Sequence, residues 1–405
     1  MPARRQRLLV LNQYYWPGVE ATAQLLTELC EALADEFDVR VVTGVLHGHE
    51  HEPRHLVRNG VEIVRVASTS YERSRIVARA ANYVTYLTNA AVTAVRGPRP
   101  DVVLCMTDPP VVADVALLVA RRFRAPLLVI SQDVFPEIAI QLKRLENPAV
   151  TMVLRYLVSL YLRRADRVVA IGETMRRRLE AKGAPHEHVR VIPNWVDTDR
   201  LRPLPKQNEW SKGWGFDRQF VVMHSGNIGH AQDLDSLVRA ATFLRDLHDL
   251  RIAIIGMGAR HAELVALAER LETNAVLFLY YQPRHLLPQS LSAADVHAVG
   301  LAPGLAGYVV PSRLYGILAV GRPVIAAADA ESETAQVVKR VGCGIVVPPG
   351  RPELIARAIR DAHDGRYDLE AMGARGREWV VREADRSVAV ARYRKLIHEL
   401  EAATH

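Results

Sequence analysis

Short apolar runs bounded by polar turns alternate along this chain with longer stretches in which apolar positions return every three or four residues. That alternation sets the fold class. Residues 8–11 read as a buried strand, 21–37 as a helix and 39–43 as a second strand. A βαβ unit of this kind requires a parallel sheet with helices on its faces. Further strands are predicted at 62–66, 102–106, 126–130, 167–170 and 189–192, completing one doubly wound domain over residues 1–197. From Pro193 to Arg218 the chain carries three prolines and three tryptophans with neither a helical nor a strand period, so residues 198–218 read as a linker.

The pattern then restarts. Phe220 to His224 is a strand, 233–247 a helix, and strands follow at 251–255, 276–279, 295–300, 323–327 and 344–347, a second domain over 219–385. Residues 375–403 are helical in period and dense in charge, with no strand after them. Residues 386–405 are therefore expected to form a C-terminal helix that packs back on the first domain. The expectation is an α/β protein of two Rossmann-like domains facing across a cleft, the usual seat of a small ligand.

Composition narrows the partners. The chain has 405 residues, too many for one ordinary core, and its 49% hydrophobic and 24% charged residues are those of a globular protein. Cys30, Cys105 and Cys343 are odd in number, far apart and set in apolar stretches, which argues against a disulfide framework or zinc cluster and fits a reducing cytoplasm. Residues 8–11 are too short for a signal-peptide core, and no window is long and apolar enough to cross a membrane. A formal charge of +7 points to an anionic partner without choosing among nucleic acid, lipid headgroups and phosphorylated metabolites.

Glycine turns at strand ends supply the candidate chemistry. Tyr14-Tyr15-Trp16-Pro17-Gly18 follows the first strand, Ser225-Gly226-Asn227-Ile228-Gly229 the first strand of the second domain, and Gly256-Met257-Gly258 the next. Such turns let backbone amides approach a phosphate, although a tight turn alone would look the same. Neither half has the full G-x-G-x-x-G pattern, which weighs against a nicotinamide or flavin cofactor. In the stretch 310–326, Ser312 is placed to cap a short helix whose free amides can hold phosphate, and Arg313 adds a charged fork. Gly321 and Pro323 end that helix.

Taken in order, YYWPG, TDPP (107–110), QDVFPE (132–137), IPNWVD (192–197), SGNIGHAQ (225–232), PSRLYGILAVGRPVIA (311–326) and ESE (331–333) resemble the retaining family 4 glycosyltransferases. Within them the likeness is to the branch holding colanic-acid-type exopolysaccharide and fucosyl-type enzymes. The resemblance implies the GT-B fold, a nucleotide diphosphate sugar as co-substrate, retention at the anomeric carbon, and neither an essential metal nor another cofactor. It implies diphosphate contacts at Gly18, Gly226, Asn227, Gly229, Ser312 and Arg313, with Met257, Tyr281, Tyr315, Glu331 and Glu333 as candidates for the nucleoside and sugar.

The chain departs from that pattern in two places. Much of the family carries a Glu-x7-Glu pair where Tyr308 and Gly316 stand here, so Glu331 or Glu333 becomes the candidate acid. Asn227 and Gln232 stand where cations often grip the diphosphate, which leaves Arg313 as the remaining charge. Asp133 is assigned as the base on the acceptor hydroxyl or as a group orienting the sugar, with Glu137 second; the plain alternative is that Asp133 caps the next helix. Amides at Gly18 and Gly229 together with Arg313 would stabilise the leaving diphosphate.

Weaker signals remain. His47, His49, His51 and His55 crowd one loop, without the cysteines or carboxylates of a metal site. Asp197-Thr198-Asp199 and Asp233-Leu234-Asp235 spell a metal-binding D-x-D, but both fall where aspartate caps turns and helices. Residues 73–96 and 150–167 combine apolar faces with terminal arginines, suiting peripheral contact at the inner face of a membrane or, equally, ordinary core helices. The expected function is sugar transfer to a glycan, lipid-linked or small-molecule acceptor in cell-surface or specialised glycan synthesis, with no nucleic-acid partner. The rivals are a sugar-nucleotide 2-epimerase and a catalytically silent nucleotide-sugar-binding protein.

Overall fold

The computed structural model describes residues 4–18, 20–46, 48–69 and 76–402, with only the backbone described for 76–80. The chain divides into two compact units, Met1–Pro193 with Ala389–His405, and Asn194–Val388.

The first unit is built on an eight-stranded sheet of order β3-β4-β2-β1-β5-β6-β7-β8. Its strands are β1 (Arg7–Leu11), β2 (Asp38–Gly44), β3 (His55–Arg58), β4 (Val61–Val66), β5 (Val102–Met106), β6 (Leu127–Ser131), β7 (Arg167–Ala170) and β8 (Val189–Val191). All neighbours are parallel except β3 with β4. Every residue of β5 and β6 is buried. Helices cover both faces of such a sheet, so its central strands read as continuous apolar runs rather than alternating ones. The sequence reading missed β3, an edge strand whose four residues are all exposed or half-buried.

The second unit holds six parallel strands in the order β11-β10-β9-β12-β13-β14. They are β9 (Phe220–Ser225), β10 (Leu250–Ile255), β11 (Val276–Leu279), β12 (Val296–Gly300), β13 (Val324–Ala327) and β14 (Gly344–Val347). In both sheets the strand order reverses beside the first strand of the unit. The crevices at the carboxyl ends of β1/β5 and of β9/β12 are therefore the places where a doubly wound sheet binds ligands.

Several expected boundaries shift. The helix expected over 21–37 stops at Leu33, and a turn brings Phe37 inward to 2% exposure. The helix expected over 233–247 spans only Leu234–Ala240, followed by one tighter turn, Ala241–Phe243. The charged tail is two helices, Leu369–Glu383 and Arg386–Ala402, broken at Asp385. The Asp385 carboxylate accepts from Thr198 Oγ1 at 2.6 Å and from the Ser387 amide at 2.8 Å, and its backbone bridges to Val196. From Ala389 onward the last helix belongs to the first unit: Arg394 donates to the Ala32 carbonyl at 2.6 Å, and His398 meets Glu36 at 2.7 Å and the Phe37 ring.

Residues 198–218 are no free linker. Trp210 and Phe216 are buried against Val221, Met223, Ile255 and Leu279, and the Trp210 indole donates to Gln282 at 2.8 Å. Lys206 pairs with Asp295 at 2.5 Å, and Arg377 donates to the carbonyls of Thr198 and Leu201. Apolar burial without periodicity is what the sequence reading lacked a signal for. Phe216→Ala should cost the fold about 3–5 kcal/mol, the range for truncating a buried aromatic. A loss below about 1 kcal/mol in urea denaturation would show that the segment is not part of the core.

Candidate functional site

In the second unit three loops meet at the reversal beside β9. Gly226 has φ +144° and donates its amide to Ile255, while Gly256, also at φ +144°, donates to Leu279. A Cβ on Gly256 would stand 1.9 Å from the Gly226 carbonyl oxygen, one on Gly258 2.3 Å from that of Ile228, and one on Gly300 2.1 Å from that of Gln232. Backbone packs directly on backbone here, and no side chain larger than hydrogen fits. Gly229 and Gly258 also make room for the Asn227 side chain, which lies between them.

Arg313 brings charge to this platform. Its guanidinium carbon is 3.5 Å from where a Cβ of Gly226 would be, and Nη1 lies 2.8 Å from both ring nitrogens of His224, a fully buried residue of β9. Equal distances to the two nitrogens mean that the guanidinium packs against the ring rather than along one lone pair. Burial, followed by the neighbouring Arg313 charge, drives the His224 pKa well below its usual value, so the imidazole is neutral. Burial pulls Arg313 down to about 10, which leaves it protonated at neutral pH. Among the described residues no carboxylate pairs with it. Tyr281, 55% exposed, donates to the Met257 carbonyl at 3.2 Å and packs on Gly256, placing both residues on the same rim.

Thus Gly226, Asn227, Met257, Tyr281 and Arg313 come together as the sequence suggested, and others differ. The Gly229 amide is already bonded to Gln232 Oε1 at 3.0 Å, so it is not free for phosphate. Ser312 has helical backbone angles and makes no capping bond to the seven-residue helix it precedes, Arg313–Ala319. Tyr315 is 1% exposed and stacks on Trp379 in the core; the apolar pattern that buries it also carries the motif. Glu333 opens the helix Glu333–Val341, capped by Ser332, while Glu331 is exposed just before it.

In the first unit the crevice at β1/β5 is polar and finely bonded. The Gln13 amide donates to the Asp108 carbonyl at 3.0 Å, Thr22 Oγ1 donates to the Asp108 carboxylate at 3.0 Å, and the Gln132 amide donates to Thr107 Oγ1 at 3.1 Å. Buried Asn12 Oδ1, Gln13 Oε1 and Ser131 Oγ have no partner of their own. Asp133, two residues past β6, is half-buried, and desolvation lifts its pKa to about 6. It does not cap the next helix, whose cap position is Pro136.

Two of the first unit's candidates are committed elsewhere. Glu137 accepts from Lys182 Nζ at 2.6 Å and from Arg155 Nε at 3.2 Å, so its carboxylate is held in an ion-paired network. The Gly18 amide donates to the Tyr15 carbonyl at 2.8 Å, closing a turn instead of facing an anion. Arg65 clamps that loop by donating to Trp16 and Pro53 carbonyls. Sequence reading missed His224 and Arg65, single polar residues inside apolar strands. It also missed Asp114, whose two unpartnered oxygens and burial lift its pKa to about 7.

The discounted motifs behave as plain structure. Asp233, at φ +46°, accepts from the Gly350 amide at 2.7 Å and from Ser236 at 2.9 Å. Asp235 binds Arg260, and Asp197 pairs with Arg386. His55 pairs with Glu62 at 2.8 Å, His49 and His51 lie ring to ring at 6.3 Å, and His47 lies outside the described residues, as do 73–75 of the expected segment 73–96. Among the described residues no three metal-binding side chains gather, and no helix is long and apolar enough to cross a membrane.

Comparison with known proteins agrees with this architecture. Residues 20–195 match the glycosyl transferase 4-like domain and residues 206–379 the glycosyl transferases group 1 domain. The chain is 25% identical over 379 residues, 91% of each chain, to a probable glycosyltransferase, WbjE, of Pseudomonas aeruginosa. It is 31% identical over 208 residues, half of each chain, to a putative colanic acid biosynthesis glycosyl transferase, WcaI, of Escherichia coli. Its fold matches that of HepE from Anabaena, solved with UDP-glucose, at a TM-score of 0.76 and 16% identity, over 98% of this chain and all of that one.

The Asp133 shift has a sign that can be checked. Its folded pKa, about 6, lies above the ordinary 3.8, so burial of the acid is tolerated at low pH and stability is lost as pH rises through 6. Asp133→Asn should therefore gain about 2–3 kcal/mol relative to the parent between pH 4 and pH 7.5, read from urea midpoints. A difference between the two proteins that does not change with pH would rule out the shifted carboxylate.

Proposed function

We propose, since this chain belongs to the GT-B glycosyltransferases with a 4-like and a group 1 domain, that it moves a sugar from a nucleotide diphosphate donor to an acceptor hydroxyl with retention at the anomeric carbon. The observation that carries the donor side is Arg313: a half-buried guanidinium against a neutral imidazole and a glycine platform, with no carboxylate among the described residues to compensate it. A charge left without a partner in such a place is costly unless an anion completes it. In this reading the diphosphate sits against Gly226 and Arg313, and the nucleoside or sugar lies along Met257 and Tyr281.

As the bond from the anomeric carbon to the diphosphate oxygen breaks, the electron pair stays on the diphosphate, where Arg313 offsets the growing charge. The acceptor oxygen bonds to the same face of that carbon and gives up its proton, so no protein nucleophile is needed. In this reading the proton goes to Asp133, which is ionised above about pH 6. The reading needs neither metal nor further cofactor. It places the enzyme in the cytoplasm and at the membrane's inner face, building cell-surface polysaccharide on a glycan, lipid-linked or small-molecule acceptor. Likeness to an exopolysaccharide enzyme supports that setting.

Arg313→Ala should weaken binding of UDP or GDP, whichever the parent prefers in calorimetry, by about 10- to 100-fold, matching a hydrogen-bonded charge of about 1.5–3 kcal/mol. Arg313→Lys should recover part of it. Unchanged binding and turnover in Arg313→Ala would end the diphosphate assignment.

A further inference from the structure

The helix Pro148–Leu162 is apolar on both of its sides. Thr151, Val158, Tyr161 and Leu162 are buried, and the helix packs on the neighbouring helix Val112–Phe123. On the opposite side Met152 and Tyr156 are each 67% exposed and Val153 54%, with half-buried Leu160 one turn beyond Tyr156. A helix at a water-facing surface ordinarily carries its charges along that stripe. This one has no acidic residue, and its one basic residue, Arg155, is turned to Glu137. On the neighbouring helix Leu118 is 65% exposed.

Charge lies at the ends of the stripe instead. Lys143 and Arg144 precede the helix, Arg163 and Arg164 follow it, and all four are exposed without an ion-pair partner among the described residues. Arg163 falls seven residues after Tyr156 and Arg164 four after Leu160, so both continue the same stripe. Arg121 and Arg122 extend the basic rim on the helix that carries Leu118, while Glu146 is the exposed acid beside it.

We propose that this face of the first unit docks on an anionic lipid surface, with Met152, Val153 and Tyr156 entering the boundary between headgroups and acyl chains and the basic ends of the helix meeting lipid phosphates. A protein partner or a second copy of this chain would also cover an apolar stripe, but a flat apolar strip bracketed at both ends by unpaired basic side chains complements a negatively charged bilayer. Tyrosine fits that boundary, with its ring in the apolar layer and its hydroxyl in the wet one. The inference rests on the reading of the chain as a transferase whose acceptor can be carried on lipid, and it assigns the surface that would bring the enzyme to that acceptor.

The test is co-sedimentation of the full chain with phosphatidylglycerol-rich vesicles and with pure phosphatidylcholine vesicles. Binding to the anionic vesicles alone, falling as salt is raised, is expected. Met152→Asp with Tyr156→Asp should abolish it, and Arg163→Glu with Arg164→Glu should weaken it at least about tenfold, since each basic residue near such a surface contributes about fivefold. Donor binding should stay intact in both variants, which separates this result from failure of the proposed transfer reaction. Should the acidic variants fold poorly, Tyr156→Trp gives a second reading, a blue shift of indole emission on adding anionic vesicles. Absence of binding, equal binding by parent and variants, or a concentration-dependent dimer in sedimentation velocity that Met152→Asp dissolves would overturn the proposal.

Discussion

Close approach of backbone to backbone at the carboxyl ends of β9, β10 and β12 is the constraint on which the second unit's chemistry depends. Gly256, Gly258 and Gly300 each stand where a side chain would run into a neighbouring carbonyl, so three loops are locked at contact distance. On that platform the Arg313 guanidinium lies over Gly226 and against His224, with no carboxylate among the described residues to pin it. His224 completes the arrangement because it is neutral: a carboxylate there would fill the role of the ligand, and a protonated imidazole would repel the charge it supports. Positioning and vacancy of charge are thus obtained together, from glycine below and an uncharged ring beside.

The first unit works by the opposite allocation of carboxylates. Glu137 and Asp133 stand four residues apart in one motif and looked interchangeable as bases. The fold separates them: Lys182 and Arg155 take up Glu137, whereas Asp133 has no cation among the described residues and is left to desolvation. An ion-paired carboxylate is a poor proton acceptor, and a desolvated one is a better acceptor near neutral pH. Which of the two carboxylates is ion-paired is decided in part by a lysine forty-five positions away in sequence, so local motif reading could only rank the two by position.

The same reason explains what was legible elsewhere. Parallel strands buried on both faces announce themselves as apolar runs, and all but the edge strand β3 were readable. Glycine turns after strands were readable for the same reason, since a strand end followed by Gly226 or Gly256 needs no partner to be recognised. Tyr315 was misplaced because its motif belongs to a helix whose inward face lies in the core, where it meets Trp379. Residues 198–218 escaped because their hold on the second unit is made of single long-range contacts, Trp210 to Gln282, Lys206 to Asp295 and Arg377 to Thr198, none of which has a period. Ser312 was read as a helix cap and Gly229 as an open amide from local sequence, yet the hydrogen-bonding state of such groups is a property of their neighbours.

The two basic features of the chain differ in kind, and ionic strength tells them apart. Arg313 is half-buried and partly desolvated, so salt screens its pull on an anion less than it screens that of a fully exposed side chain. Lys143, Arg144, Arg163 and Arg164 stand in water, where attraction fades over about 8 Å at 0.15 M salt. A polyanion that met only the exposed set would bind loosely and without shape, whereas an anion meeting the half-buried one would also meet a fixed geometry. The net charge of +7 is therefore not one property: it divides between a half-buried point and a solvated rim, which respond differently to salt.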